Sequence, residues 1–156
     1  MNPDPAAASP ADLEGASIGI VVSDDHSEIT SQVLQGAVDA LKDKFGVEAE
    51  DIFVAHVPSV LELTFAARQM SVTQEPKAVI MLGYCENTEA YISPLYSSAL
   101  QSVVHGYTEL NLHSDIPYIY GVFTNLDKVD VPYQFGRCCA QKVQSMVNMM
   151  ANLVIK

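Results

Sequence analysis

Apolar residues along this chain alternate between two kinds of spacing. Short, nearly continuous runs occur at "IGIVV" (18–22), "DIFVAHVP" (51–58), "AVIMLGY" (78–84) and "IPYIYGVFT" (116–124). Runs of this length, rich in Val and Ile, read as strands covered on both faces. Between them the spacing changes to three and four. Ile29, Val33, Ala37, Leu41 and Phe45 recur every fourth residue, which predicts a helix over 30–45, stopped at "DKFG" with Gly46 as its C-cap. Leu63, Ala67 and Met70 give a helix over 60–70. Ser93-Pro94 has the form of an N-cap followed by proline at the first helical position, opening a helix that runs to about Val104. Cys139, Val143, Met146 and Met150 share one face of a closing helix over 135–154.

Strand and helix thus repeat as β-α four times. The expected fold class is α/β, a three-layer fold with a four-stranded parallel sheet flanked by helices and joined by right-handed crossovers. Such folds bind ligands outside the carboxyl ends of their strands. Those ends are "VVSDDH", "HVPSVLE", "LGYCENTE" and "GVFTNLD". None carries a GxGxxG or P-loop pattern, so a nucleotide-type phosphate cradle is not expected. A single domain is expected over 17–156, preceded by a flexible arm over 1–16 that holds Pro3, Pro5 and Pro10.

Charge narrows the choice of partners. Eight Lys and Arg stand against nineteen Asp and Glu, a formal net charge of -11. Such a surface repels nucleic acid and anionic membranes. No apolar run approaches the roughly 18 residues needed to span a bilayer. The first residues have neither a basic n-region nor an apolar h-region, and they lack the arginines of a transit peptide. A cytoplasmic protein is expected. Three cysteines (Cys85, Cys138, Cys139) make no disulfide framework, and no His stands at metal-ligand spacing with them. No cofactor and no metal are expected.

Chemistry-bearing residues gather at the first two strand ends. In "SDDHSEIT", Asp25-x-x-Glu28 has the spacing of a helix N-cap with an acid at N3. His26 beside it is the weak candidate for a general base, with Asp24 or Asp25 to orient it. The alternative for His26 is a solvated histidine at a helix start. Ser59-x-x-Glu62 forms a capping box, which competes with a ligand-binding role for Glu62. Cys85 has no neighbouring base or cation to make it a nucleophile. His56 reads as structural, while His105 and His113 flank an inserted loop around "HGYTELNL".

The order of these segments resembles the lumazine synthase family of the riboflavin pathway. "IGIVV" with "EITSQVLQGAVDAL" is similar to that family's first strand and helix. "VPSVLEL" resembles its Val-Pro-Gly-Ala/Ser-Phe/Tyr-Glu-Leu motif, and "AVIMLG" and "IPYIYGVFT" resemble its third and fourth strands. The similarity covers about residues 17–154. The resemblance implies a flavodoxin-like subunit, a homo-oligomer built on pentamers and extended in some members to decamers or 60-subunit shells, and a cofactor-free condensation of a ribitylamino-uracil with a four-carbon ketone phosphate.

The family's site residues carry over only in part. Its stacking aromatic falls on Asp25, and a carboxylate does not stack as an aromatic ring does. The adjacent Asn falls on His26. Pro58 and Glu62 match, whereas Ser59, Val60 and Leu61 replace the Gly, the small residue and the aromatic. After Gly83 and Tyr84, the family's proton-shuttling His falls on Ile92 or, with a deletion, on Thr88. Glu86 and Glu89 stand where the family places a cation and its phosphate loop. Beyond Thr124, Arg137 is the one cation placed to correspond to a phosphate ligand. The expectation is a family member that has lost the condensation. It would act as a structural ring or shell, or bind a flavin- or pterin-like small molecule between Asp25, Glu62 and Tyr84. The alternative is an active lumazine synthase with a rewired site.

Overall fold

A computed structural model describes residues 13–154. In chain order it contains β1 (Ile18–Ser23), α1 (Ser27–Asp43), β2 (Ile52–Val57), α2 (Leu63–Gln74), β3 (Ala78–Cys85), α3 (Pro94–Leu112), β4 (Tyr118–Thr124) and α4 (Pro132–Val154), with one-turn 3-10 segments before β2 and α2. The four strands form one parallel sheet in the order β2-β1-β3-β4. The expected α/β, flavodoxin-like architecture is therefore present. Residues 1–12 of the expected arm lie outside the described residues. Of its last four, Leu13 and Ala16 are buried in the core.

The sheet separates two apolar layers, as strand alternation requires. Ile18, Ile20, Val22, Ile80, Leu82 and Tyr84 face α1 and α4, where Val33, Ala37, Leu41, Cys139 and Val143 meet them. Val21, Val79, Met81 and Val122 face the other way, onto Leu63, Ala67 and Met70 of α2 and Val103 of α3. β1 and β3, in the middle of the sheet, are buried along almost their whole length. β2 lies at an edge, and its Val54 and His56 are exposed.

Local signals placed most elements, and their ends show where tertiary contacts took over. Ser93 accepts a hydrogen bond from the Tyr96 amide at 3.1 Å with Pro94 behind it, the cap expected for α3. That helix does not stop near Val104, however. It continues to Leu112, because Tyr107 and Leu110 extend the stripe that packs on the second layer. The stretch expected as an inserted loop is thus the last two turns of α3, with His105 and His113 exposed on it or at its end. α4 begins at Pro132, three residues before Phe135, with proline inside its first turn. Gly46, at φ 74°, turns the chain just after α1.

α1 and α4 touch at backbone distance. A Cβ on Gly36 would stand 1.9 Å from the Tyr133 carbonyl oxygen, and a Cβ on Gly136 would stand 1.9 Å from that of Val33. Neither neighbour is a side chain that can swing away. We therefore expect Gly136→Ala to lower the unfolding free energy by about 2 kcal/mol, in spite of alanine's better helix propensity. Urea titration checks this, and an unchanged or raised midpoint would contradict the backbone contact.

Candidate functional site

Strand order reverses between β1 and β3, so the crevice outside their carboxyl ends is where this architecture opens a ligand site. From the β1 side come Ser23, Asp24, Asp25 and His26. From the β3 side come Gly83, Tyr84, Cys85 and Glu86. The amides of Asp24 and Asp25 donate to the carbonyls of Val57 and Pro58, at 2.8 and 3.2 Å. The chain after β1 is thus tied to the exit of β2 as it turns into α1.

That pairing corrects one expectation. Asp25 is not the N-cap of α1. The cap position is His26, in left-handed backbone (φ 59°, ψ 44°) and without a side-chain cap bond. The Asp25 amide is tied to Pro58, so the helix begins one residue later, and a non-glycine residue takes the turn at a cost of about 1 kcal/mol. The His26 carbonyl accepts from the amides of Ile29 and Thr30, while the Thr30 hydroxyl donates back to the Ser23 carbonyl at 2.8 Å.

His26 lies edge-on to Tyr84, with ring centroids 5.0 Å apart. Its Nδ1 is 3.9 Å from carboxylates of both Glu28 and Glu86. Tyr84 continues an aromatic contact into Phe123, and Phe123 into Phe135. Burial, and after it the charge of Glu86, push the Tyr84 hydroxyl above its ordinary pKa. Burial and the charge of Asp25 push the Cys85 thiol up as well, which leaves it a poor nucleophile. Every side-chain charge that acts on these two groups is negative. Around Tyr84 the site therefore has a carboxylate field with the His26 imidazole in it.

The second strand end is held by its cap. The Ser59 amide and hydroxyl both donate to the Glu62 carboxylate, and the Leu61 amide donates to the Ser59 hydroxyl oxygen at 3.3 Å. Both halves of the expected capping box are present, and they occupy one oxygen of Glu62. Val60 is buried against Gly83, whereas Pro58 and Leu61 are exposed. Thr124, at the end of β4, is buried. Its amide and hydroxyl donate to Asp127, and its hydroxyl oxygen accepts from the Leu126 amide. It closes a turn.

Arg137 is not brought to this crevice. It lies over the ring of Tyr133 and donates to the Tyr133 hydroxyl at 3.4 Å, while that hydroxyl donates to Asp39 of α1 at 2.7 Å. The hydrogen bonds from Tyr133 and then Gln35 hold the Asp39 carboxyl below the usual carboxylate range.

Two further interactions at the strand ends were not expected from the sequence. His56 Nδ1 lies 2.8 Å from Asp24 Oδ1 and ties the exits of β2 and β1 together. The Asn87 backbone amide donates to the Asn125 side-chain oxygen at 2.8 Å and the Asn125 side-chain amide donates to the Asn87 carbonyl at 2.9 Å, which joins the exits of β3 and β4. Asn87 also donates to the carbonyls of Glu89 and Tyr91 and accepts from the Ser93 amide, which shapes the loop leading into α3. Asparagine directly after a buried strand was the available signal, since its side chain can satisfy loop backbone. Thr88 and Ile92 are both exposed on that loop. Among the described residues, no group of three or more His, Cys, Asp or Glu is placed to hold a metal ion. No helix among them is long and apolar enough to cross a membrane.

A family profile described as 6,7-dimethyl-8-ribityllumazine synthase matches residues 15–151. Among curated relatives, the 6,7-dimethyl-8-ribityllumazine synthase of Parabacteroides distasonis is 41% identical over 113 residues, covering 72% of this chain and 68% of the relative. The protein of the same name from Bacteroides fragilis is 40% identical over 106 residues (68% and 71%). That of Limosilactobacillus reuteri is 34% identical over 144 residues, covering 89% of this chain and 90% of the relative.

If the Ser59–Glu62 contact is chiefly a cap, Ser59→Ala should cost about 1 kcal/mol while Glu62→Gln changes stability little, both measured by chemical denaturation. A larger effect of Glu62→Gln on ligand binding than on stability would instead assign Glu62 to the site. At the α1–α4 seam, the lowered Asp39 pKa means a contribution to stability that is present above the ordinary carboxylate range. It is lost as pH falls through the folded-state value. Tyr133→Phe should raise the Asp39 midpoint seen by carboxyl-carbon NMR, and an unmoved midpoint would mean that the tyrosine does not hold it down.

Proposed function

The chain belongs to the 6,7-dimethyl-8-ribityllumazine synthase family, and from that premise we propose that it keeps the family's subunit assembly while its strand-end site binds a flat flavin- or pterin-like molecule without performing the condensation. The observation that carries this reading is the sign of charge at the β1/β3 crevice. Asp25 stands in the place of the stacking aromatic, Glu86 in that of a cation, and Arg137 is engaged at the α1–α4 seam. A doubly charged ketone phosphate brought among Asp24, Asp25, Glu28 and Glu86 meets repulsion there, and the guanidinium of Arg137 is engaged elsewhere. Substrate positioning, a large part of any bimolecular rate enhancement, is then lost together with the proton shuttle.

Assembly is supported by the apolar surface the subunit exposes. Phe65 and Val72 on α2 and Leu95 and Leu112 on α3 are each more than 60% exposed, and β2 offers an unpaired edge. Outward apolar groups at this density mark contact surfaces in a chain of such high negative charge. The assembly is a homo-oligomer built on a pentamer, alone or extended to a decamer or shell. A monomer in light scattering would contradict it.

Incubation with the ribitylamino-uracil and the four-carbon ketone phosphate should give no lumazine fluorescence above the uncatalysed rate. Formation at a rate comparable to family enzymes would overturn the reading. One observation favours the alternative, an active 6,7-dimethyl-8-ribityllumazine synthase. His26 is an imidazole held against Tyr84 between two carboxylates, a geometry suited to moving a proton. Under that alternative, lumazine forms and His26→Asn abolishes it in a folded protein.

A further inference from the structure

β4 stands at one edge of the sheet, so one line of its peptide groups has no strand beside it. The register identifies that line. Val79 is paired with Tyr118, and its amide donates to the Pro117 carbonyl at 3.1 Å. Along a strand, successive residues turn their peptide groups to opposite neighbours. Pro117, Ile119, Gly121 and Phe123 therefore address β3, while Tyr118, Tyr120, Val122 and Thr124 address the free edge. The strand carries no charge to repel another. Residues 116–124, "IPYIYGVFT", are mostly aromatic or β-branched and include no Asp, Glu, Lys or Arg. A groove of about 800 Å³ opens beside Tyr118 and Tyr120, between Asn111 of α3 and Met146 and Met150 of α4. Uncharged apolar edges with room beside them are the ones that recruit a second chain.

Two side chains occupy the ends of this line. Asn111, in the last turn of α3, meets Tyr118 as a neighbouring strand would. Its Oδ1 accepts from the Tyr118 amide at 2.9 Å, and its Nδ2 donates to the Tyr118 carbonyl at 3.3 Å. Nδ2 also donates to the Tyr107 carbonyl, one turn back in α3, at 3.3 Å. The side-chain amide is thus fixed to a helix on one side and to the strand on the other. At the far end, the Asp127 carboxylate accepts from the Thr124 amide at 2.9 Å and from its hydroxyl at 3.1 Å. Between these two plugs only Tyr120 and Val122 still turn peptide groups to the edge.

We propose that Asn111 shuts the β4 edge against a strand of a second copy, and so confines self-association of this chain to its other surfaces. A primary amide suits the task. It sets one acceptor and one donor side by side, as a peptide group does, whereas a carboxylate offers acceptors alone and an aliphatic side chain offers neither. Asp127 secures the other end with its charge. The plug acts in the same way on a single ring or a larger assembly, so it stands apart from the ring size proposed above.

Light scattering of the full-length protein over a range of concentrations tests this. Asn111→Leu, similar in size but without donor or acceptor, should raise the mass at least about twofold over wild type, as assemblies join through opened edges. Asn111→Asp keeps the acceptor and puts a charge on the edge, so it should stay at the wild-type mass. Gly136→Ala, weakened at the α1–α4 seam, controls for lost stability and should stay there too. An unchanged mass for Asn111→Leu, or an equal rise in Asn111→Asp or Gly136→Ala, would each overturn the proposal. If Asn111→Leu does not fold, the wild type decides. Residue-resolved hydrogen exchange should find the Tyr118 amide exchanging at least about tenfold more slowly than the Tyr120 amide, and equal rates would overturn the plug.

Discussion

Gly36 and Gly136 let α1 and α4 meet backbone to backbone, and much else follows from that contact. With no Cβ at either position, the two helices sit close enough to cover one face of the sheet with a thin, fully packed layer from Val33 to Val143. The contact also fixes where α4 starts. Tyr133 is laid against the middle of α1, next to Asp39, so Arg137 one turn later faces that seam. A cation that looks available in the sequence is thereby committed to a tyrosine ring and a carboxylate on another helix.

The strand ends are left with the opposite charge. Asp24, Asp25, Glu28 and Glu86 converge from two strands and a helix start, countered there only by His26 and by the His56–Asp24 pair among the interactions described. The chain as a whole is acidic too, with a formal charge of -11. The fold is that of the 6,7-dimethyl-8-ribityllumazine synthase family, and the described side chains at the β1/β3 strand ends are mostly acidic.

Different parts of this structure were legible at different ranges of the chain. Continuous Val- and Ile-rich runs, the Ser93-Pro94 cap and the Ser59–Glu62 box are local patterns, and each appears in the fold where its spacing puts it. The same patterns misplaced two features. The Asp25-x-x-Glu28 spacing describes a good N-cap, but pairing of Asp25 with Pro58 across to β2 moves the cap to His26. "HGYTELNL" looked like an insertion in a loop, yet Tyr107 and Leu110 find a core surface and stay helical.

The sequence by itself determined the order of strands and helices, the buried character of the sheet, the acidic surface and the substitutions at the motif positions. All of these depend on residues within a few places of one another. The tertiary structure decided that Arg137 belongs to a helix seam, that His56 bonds Asp24, that Asn87 and Asn125 lock two loops, and that the Asp25 amide bonds Pro58. Each of those outcomes joins residues far apart in the chain, and only the sheet register and the approach of the helices bring them within hydrogen-bonding distance.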